Sequence, residues 1–215
     1  MIKNSMRKEE VLEGTPGTQP TPPTEAPAPK PVEVKPGSDR FKKALAYTFK
    51  NEGGFSNIPE DHGGATNFGI IREELARWRH TDVTPEDVKN MKREEAEAIY
   101  KAWYWNPLNL DRIDAENVAI ALFDRGVLNG LTGVSRHVKN VLGRSQDEKA
   151  NFDSCIDEIN STNPIAFVMR LADQCEAKHR ANVAAHPDQK KFLMGWLNRV
   201  NRMRKELGDG TTRPT

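Results

Sequence analysis

Residues 39–71 read DRFKKALAYTFKNEGGFSNIPEDHGGATNFGII. Phe41, Leu45, Thr48 and Glu52 recur at steps of four, three and four, the spacing of one face of a helix. Ser38 or Asp39 is a suitable cap for its start. Gly53-Gly54 predict its end, because glycine tolerates the left-handed conformation that closes a helix. At roughly 100° per residue Glu52 lies about 20° from Phe41 around the axis, so a carboxylate shares the apolar face. Beyond it, Pro59, the Gly63-Gly64 pair and the alternation from Ala65 to Ile70 predict a short hairpin or small sheet.

Downstream the pattern turns helical. Thr84-Pro85-Glu86-Asp87 is a start signal, with a capping Thr, Pro at the first helical position and an acid at the third. Periodicity predicts helices over 72–79, 85–90, 93–104, 115–129, 132–142, 164–185 and 188–206. Asn163-Pro164 and His186-Pro187 punctuate the last two. Residues 143–162 have no readable period. The expected class is therefore mainly α (α+β), a helical domain over 39–206 with a small β-hairpin lobe.

Upstream, residues 1–38 hold eight of the fourteen prolines. The run TPGTQPTPPTEAPAPKPVEVKPG (15–37) has no hydrophobic period and reads as a semi-stiff, disordered tether. Residues 207–215 read as a flexible tail. The formal net charge is +1, which gives no global field toward nucleic acid. No apolar run reaches the roughly 18 residues a membrane span needs, and the start MIKNSMRKEEVLEG lacks the apolar region of a secretory signal. Two cysteines, Cys155 and Cys175, do not make a disulfide framework and read as core thiols. The five histidines show no ligand spacing and no Gly-rich phosphate loop is present, so no metal and no cofactor is expected.

Glu52 has two local reasons to keep a proton near neutral pH. Its face is apolar, which penalises the charged form, and a helix C-terminus presents partial negative charge. A carboxyl group of that kind suits a general acid that protonates the leaving oxygen of a glycosidic bond. Asp61 follows nine residues on and Thr66 five further. Singly these read as a frayed helix-end glutamate, a turn residue and a strand former. Together, with the hairpin facing the helix end, a carboxylate and a hydroxyl there can hold a water on the far side of a sugar ring.

The string Glu52-Gly53-Gly54-Phe55, followed by Asp61-His62-Gly63-Gly64-Ala65-Thr66-Asn67-Phe68-Gly69-Ile70, resembles the motif of glycoside hydrolase family 108. The likeness continues through Tyr100-x-x-Trp103-Tyr104-Trp105, Ala121-Leu122-Phe123-Asp124 and Phe192-Leu193-x-Gly195-Trp196-x-Asn198-Arg199, and so covers roughly 39–205. The spacing of Glu52, Asp61 and Thr66 is also similar to the Glu/Asp/Thr trio of phage-type lysozymes. The resemblance implies a lysozyme-like fold that hydrolyses the β-1,4 bond between N-acetylmuramic acid and N-acetylglucosamine, with Glu52 as the catalytic acid. It implies a catalytic part over 39–127 and a helical part over 128–206 similar to a peptidoglycan-binding region. The sequence departs from the family where Leu128 stands at a usual Asn, and where RSQDEKANFDSCIDEIN replaces a usual Asp-Gly turn.

The substrate-contacting candidates are Asn67, Tyr100, Trp103, Trp105, Asp124 and Trp196. Aromatic rings pack on the C–H faces of sugars, although helical spacing sends at least two of these rings to the core. Asp124 on an apolar helix is a substrate contact or a buried anchor. The expected partner is the peptidoglycan glycan strand, bound by a monomer, with neither nucleic acid nor stable membrane insertion. Such a protein is expected to be made in the bacterial cytoplasm without a signal peptide and to act at the cell wall or periplasm. A holin, a secretion machine or a phage particle engaging the Pro-rich N-terminus are the open delivery routes. Rival readings are a lytic transglycosylase and a non-catalytic wall-binding module.

Overall fold

The computed structural model describes residues 39–50, 66–146 and 152–209. Glu52 and Asp61, and the stretch from Phe55 to Ala65 expected to enter the hairpin, lie outside the described residues.

Helix α1 (Asp39–Phe49) buries Phe41, Ala44, Leu45, Tyr47 and Thr48. This is the face that the spacing of Phe41, Leu45 and Thr48 marks. It lies on the long helix α5 (Glu116–Val141), where the Phe41 ring meets Phe123 edge-on at 5.8 Å. Two cross-links fix its angle: the Arg40 guanidinium donates to the Ile113 carbonyl, and Lys43 pairs with Glu116 at 2.9 Å.

The hairpin is short. Strands β1 (Thr66–Asn67) and β2 (Ile70–Ile71) pair antiparallel, Thr66 opposite Ile71 and Asn67 opposite Ile70. The two loop residues Phe68 and Gly69 both have positive φ, 51° and 78°, which matches the right-handed twist of the flanking strands. Phenylalanine seldom adopts this conformation, so its neighbours must hold it there.

Helices α2 (Arg72–Arg79), α3 (Pro85–Lys89) and α4 (Arg93–Tyr100) follow. The α3 start forms as its sequence dictates: Asp87 N donates to Thr84 Oγ1 at 3.2 Å, and Thr84 N donates to Asp87 Oδ2 at 2.7 Å. The single helix predicted over 93–104 changes character at its end. Lys101–Trp105 is a π-helical turn, closed by Asn106 N donating to the Lys101 carbonyl at 2.9 Å. The wider turn shifts every later side chain around the axis, sending Trp105 inward and leaving Trp103 and Tyr104 half-buried.

Helix α5 runs where two helices were expected. Its only break is at Gly130 (φ 69°, ψ 171°), close to the gap that periodicity placed between 129 and 132. The 127/128 division expected between a catalytic and a helical part falls inside this element. A 3-10 turn (Asp153–Cys155) and helix α6 (Ile156–Ser161) occupy the unreadable stretch. Helix α7 (Pro164–Ala185), capped by Asn163 accepting from Ala166 N at 3.0 Å, pairs antiparallel with α8 (Lys190–Leu207). Arg204 of α8 bridges Asp173 and Glu176 of α7 at 2.7 and 2.9 Å. Cys155 and Cys175 are both buried and form no disulfide. Among the described residues no helix is long and apolar enough to cross a membrane.

Candidate active site

Two lobes meet at the C-terminal end of α1. Phe49, its last residue, stacks on Phe68 of the hairpin loop at 5.9 Å and lies edge-on to Tyr100 of α4 at 5.3 Å. The Tyr100 hydroxyl donates to the Phe68 carbonyl at 2.8 Å. The unfavourable Phe68 backbone is thus gripped from both sides, and the hairpin is fixed against the helix end.

Asn67 braces the hairpin from behind. Its side-chain amide donates to the Val88 and Lys89 carbonyls, both at 3.1 Å, satisfying the C-terminal end of α3. Both amide hydrogens are committed and the residue is 7% exposed, so Asn67 is a brace where a sugar contact was expected. Thr66 opens β1 half-buried, on the same lobe.

The remaining candidates divide. Tyr100 is buried and its hydroxyl is used on the loop. Trp103 is half-buried, with the Arg77 guanidinium 4.3 Å above its ring and Trp78 edge-on at 6.0 Å. Trp105 is a correction: it is 0% exposed, wedged against Phe41 and Phe123 at 5.5 and 5.8 Å, with no face left for a sugar. Trp196 lies on α8, stacked on His179 of α7 at 5.1 Å and tilted against Phe192; among the described residues none of its ring partners belongs to the hairpin lobe.

Of the two readings open for Asp124, substrate contact and buried anchor, the structure matches the anchor. It is fully buried, so a substrate contact is excluded where it stands. Arg125 and Arg199 each reach its oxygens at 2.5 Å, and Thr48 Oγ1 donates at 3.5 Å. One carboxylate therefore ties α1, α5 and α8 together. Burial pushes its pKa up, but the charges of Arg125 and then Arg199 pull harder and hold it below the usual carboxylate range.

Sequence reasoning missed Glu74. It sits in the first turn of α2, half-buried, accepting from Ile71 N at 3.3 Å. Burial raises its pKa, opposed more weakly by the Ile71 backbone hydrogen bond and then by the Arg77 charge. Burial, and then the nearby Glu74 charge, likewise raise the Tyr104 hydroxyl. An acid in a first helical turn is ordinary, so nothing in the sequence singles Glu74 out; only its burial does. Among the described residues no three His, Cys, Asp or Glu side chains gather as a metal site.

A helical body and a two-stranded hairpin lobe thus meet along an aromatic seam. The chain is similar to a solved structure described as that of Brucella abortus SagA, at 27% identity and a TM-score of 0.64, covering 81% of this chain and 99% of that one. No curated protein matches. Residues 45–130 match the family described as Glycosyl hydrolase 108. The protein is thus a glycoside hydrolase with a mainly α, lysozyme-like fold. More narrowly, the match over residues 45–130 makes this part of the chain similar to the glycosyl hydrolase 108 family, and at that level supports a peptidoglycan hydrolase acting at the cell wall.

Proposed function

We propose that the enzyme is a muramidase that cleaves the β-1,4 bond between N-acetylmuramic acid and N-acetylglucosamine, with Glu52 as general acid. The observation that carries this reading is the contact of Phe49 with Phe68 and Tyr100, which sets the end of α1 against the hairpin lobe. Glu52 follows Lys50 by two residues. Thr66 stands on the facing lobe and Asp61 is five residues before it.

In this reading Glu52 gives its proton to the leaving O4 as the C1–O4 bond breaks, and C1 develops oxocarbenium character. Asp61, aided by Thr66, either takes a proton from the water that attacks C1 from the opposite face or itself stabilises C1 before water arrives. A carboxyl separation of about 5–5.5 Å goes with retention and of roughly 6.5 Å or more with inversion. The setting that fits is lysis or release: an endolysin, or a muramidase serving a secretion machine, with the Pro-rich N-terminal segment as the tether to a delivery partner.

Mass spectrometry of muropeptides released from purified sacculi tests the bond and the chemistry. Hydrolysis at muramic acid leaves a reducing N-acetylmuramic acid end. A product lighter by one water, the 1,6-anhydro end, or a reducing N-acetylglucosamine end would overturn the proposal.

A further inference from the structure

The cations around the hairpin lobe are mostly spoken for. Arg72 pairs with Glu73, Arg79 with Glu95 and Asp87, Lys89 with Glu86, and Arg93 with Glu97. Arg77 differs. It is exposed, and among the described residues it has neither an ion pair nor a hydrogen bond; its guanidinium is held 4.3 Å over the Trp103 ring. Glu74, one turn earlier on the same helix, feels its charge but lies beyond ion-pair distance and accepts from the Ile71 backbone instead.

A guanidinium packed over an indole keeps its N–H donors available for a further partner. Their fork matches a carboxylate bidentately. Its position is also pertinent. Tyr104 lies within electrostatic reach of Arg77 and Glu74 and is tilted against Tyr100 at 5.8 Å, and Tyr100 meets Phe49. Three rings in contact, Phe49, Tyr100 and Tyr104, therefore run from the end of α1 toward Arg77. The Tyr104 hydroxyl and the Trp78 and Trp103 indole N–H groups are hydrogen-bonded to none of the described residues.

We propose that Arg77, held over Trp103 beside Trp78 and Tyr104, binds a carboxylate on the muramic-acid side of the peptidoglycan strand. This deepens the muramidase reading and rests on it. The carboxylate has two sources, the lactyl group of muramic acid where the peptide is absent, and the stem peptide where it is present. Trp103 then serves as the platform for Arg77 rather than as a ring for sugar stacking.

The test measures equilibrium binding by the full chain carrying Glu52→Gln, so that the ligands are not consumed. The ligands are soluble strands with stem peptides, the same strands stripped by an amidase, and a neutral N-acetylglucosamine oligomer. Adding Arg77→Gln is expected to raise Kd about tenfold for one or both anionic strands and to leave the neutral oligomer unaffected. Which anionic strand responds tells stem-peptide from lactyl carboxylate. Arg77→Lys, which keeps the charge without the fork, is expected to fall between. Arg72→Gln, the same charge change on the same helix, is expected to change no Kd. An equal loss for the neutral oligomer, no loss for either anionic strand, or an equal loss from Arg72→Gln would overturn the proposal. Turnover by the wild-type enzyme is read separately: absence of cleavage sinks the muramidase reading, whereas an unchanged anionic Kd sinks only the role of Arg77.

Discussion

Asp124 joins two guanidinium groups where no water reaches. Removing charges from solvent costs several kcal/mol per ion, and here that cost is offset only because the carboxylate is met from both sides. Asp124→Asn leaves Arg125 and Arg199 without their counter-charge. It should destabilise the fold by about 3–5 kcal/mol, lowering Tm by roughly 10 °C in a thermal melt. His137 makes a second residue-scale prediction. Burial, then the charges of Lys178 and Arg125, push its pKa down to about 4. In the unfolded chain it takes up a proton as pH falls through about 6.5. Its contribution is therefore fully present above that pH and is lost as pH falls toward the folded value, a loss on the order of 2 kcal/mol. Between pH 7 and pH 5 the urea midpoint of His137→Gln should fall less steeply than that of the wild type. A parallel pair of curves would contradict this.

At the scale of elements, two glycines make opposite predictions. Gly130 breaks α5 at φ 69°, ψ 171°, a region essentially restricted to glycine, yet an added Cβ would meet nothing within 4 Å. Gly130→Ala should thus cost about 1–3 kcal/mol through the backbone alone. Gly195 lies exposed within α8, also with open space around it. Gly195→Ala should stabilise by about 0.5–1 kcal/mol, since alanine loses less conformational freedom in a helix. Chemical denaturation of the two variants checks both signs. The elements were largely legible because caps and periods are local: the Thr84 box and the start of α7 stand where residue spacing put them, α8 begins two residues after the expected 188, and the hairpin turns at Phe68-Gly69, within the stretch read as alternating. The π-helical turn was not legible, because the 3.6-residue period carries no signal for one widened turn. The fate of Trp105 followed from that turn. Residues 153–161 stayed unread because their helical pieces are too short to show a period.

At the scale of the whole molecule, α1 is the pivot. Asp124 and Lys43 fasten it to α5, Lys50 pairs with Glu206 of α8 at 3.2 Å, and Phe49 fastens its end to the hairpin lobe. In the sequence Glu52 comes three residues after Phe49. What the sequence withheld were tertiary facts: that Asn67 turns inward to brace α3, that Glu74 is half-buried and that Arg77 lies over Trp103. Side-chain type is shared by braces and binders, and only burial and partners separate them. Glu52 is the decisive residue. With wild type and Glu52→Gln both shown folded by thermal melts, the appearance of new reducing ends from purified sacculi should slow by about a thousandfold in the variant. A variant that digests sacculi at the wild-type rate would contradict the assignment.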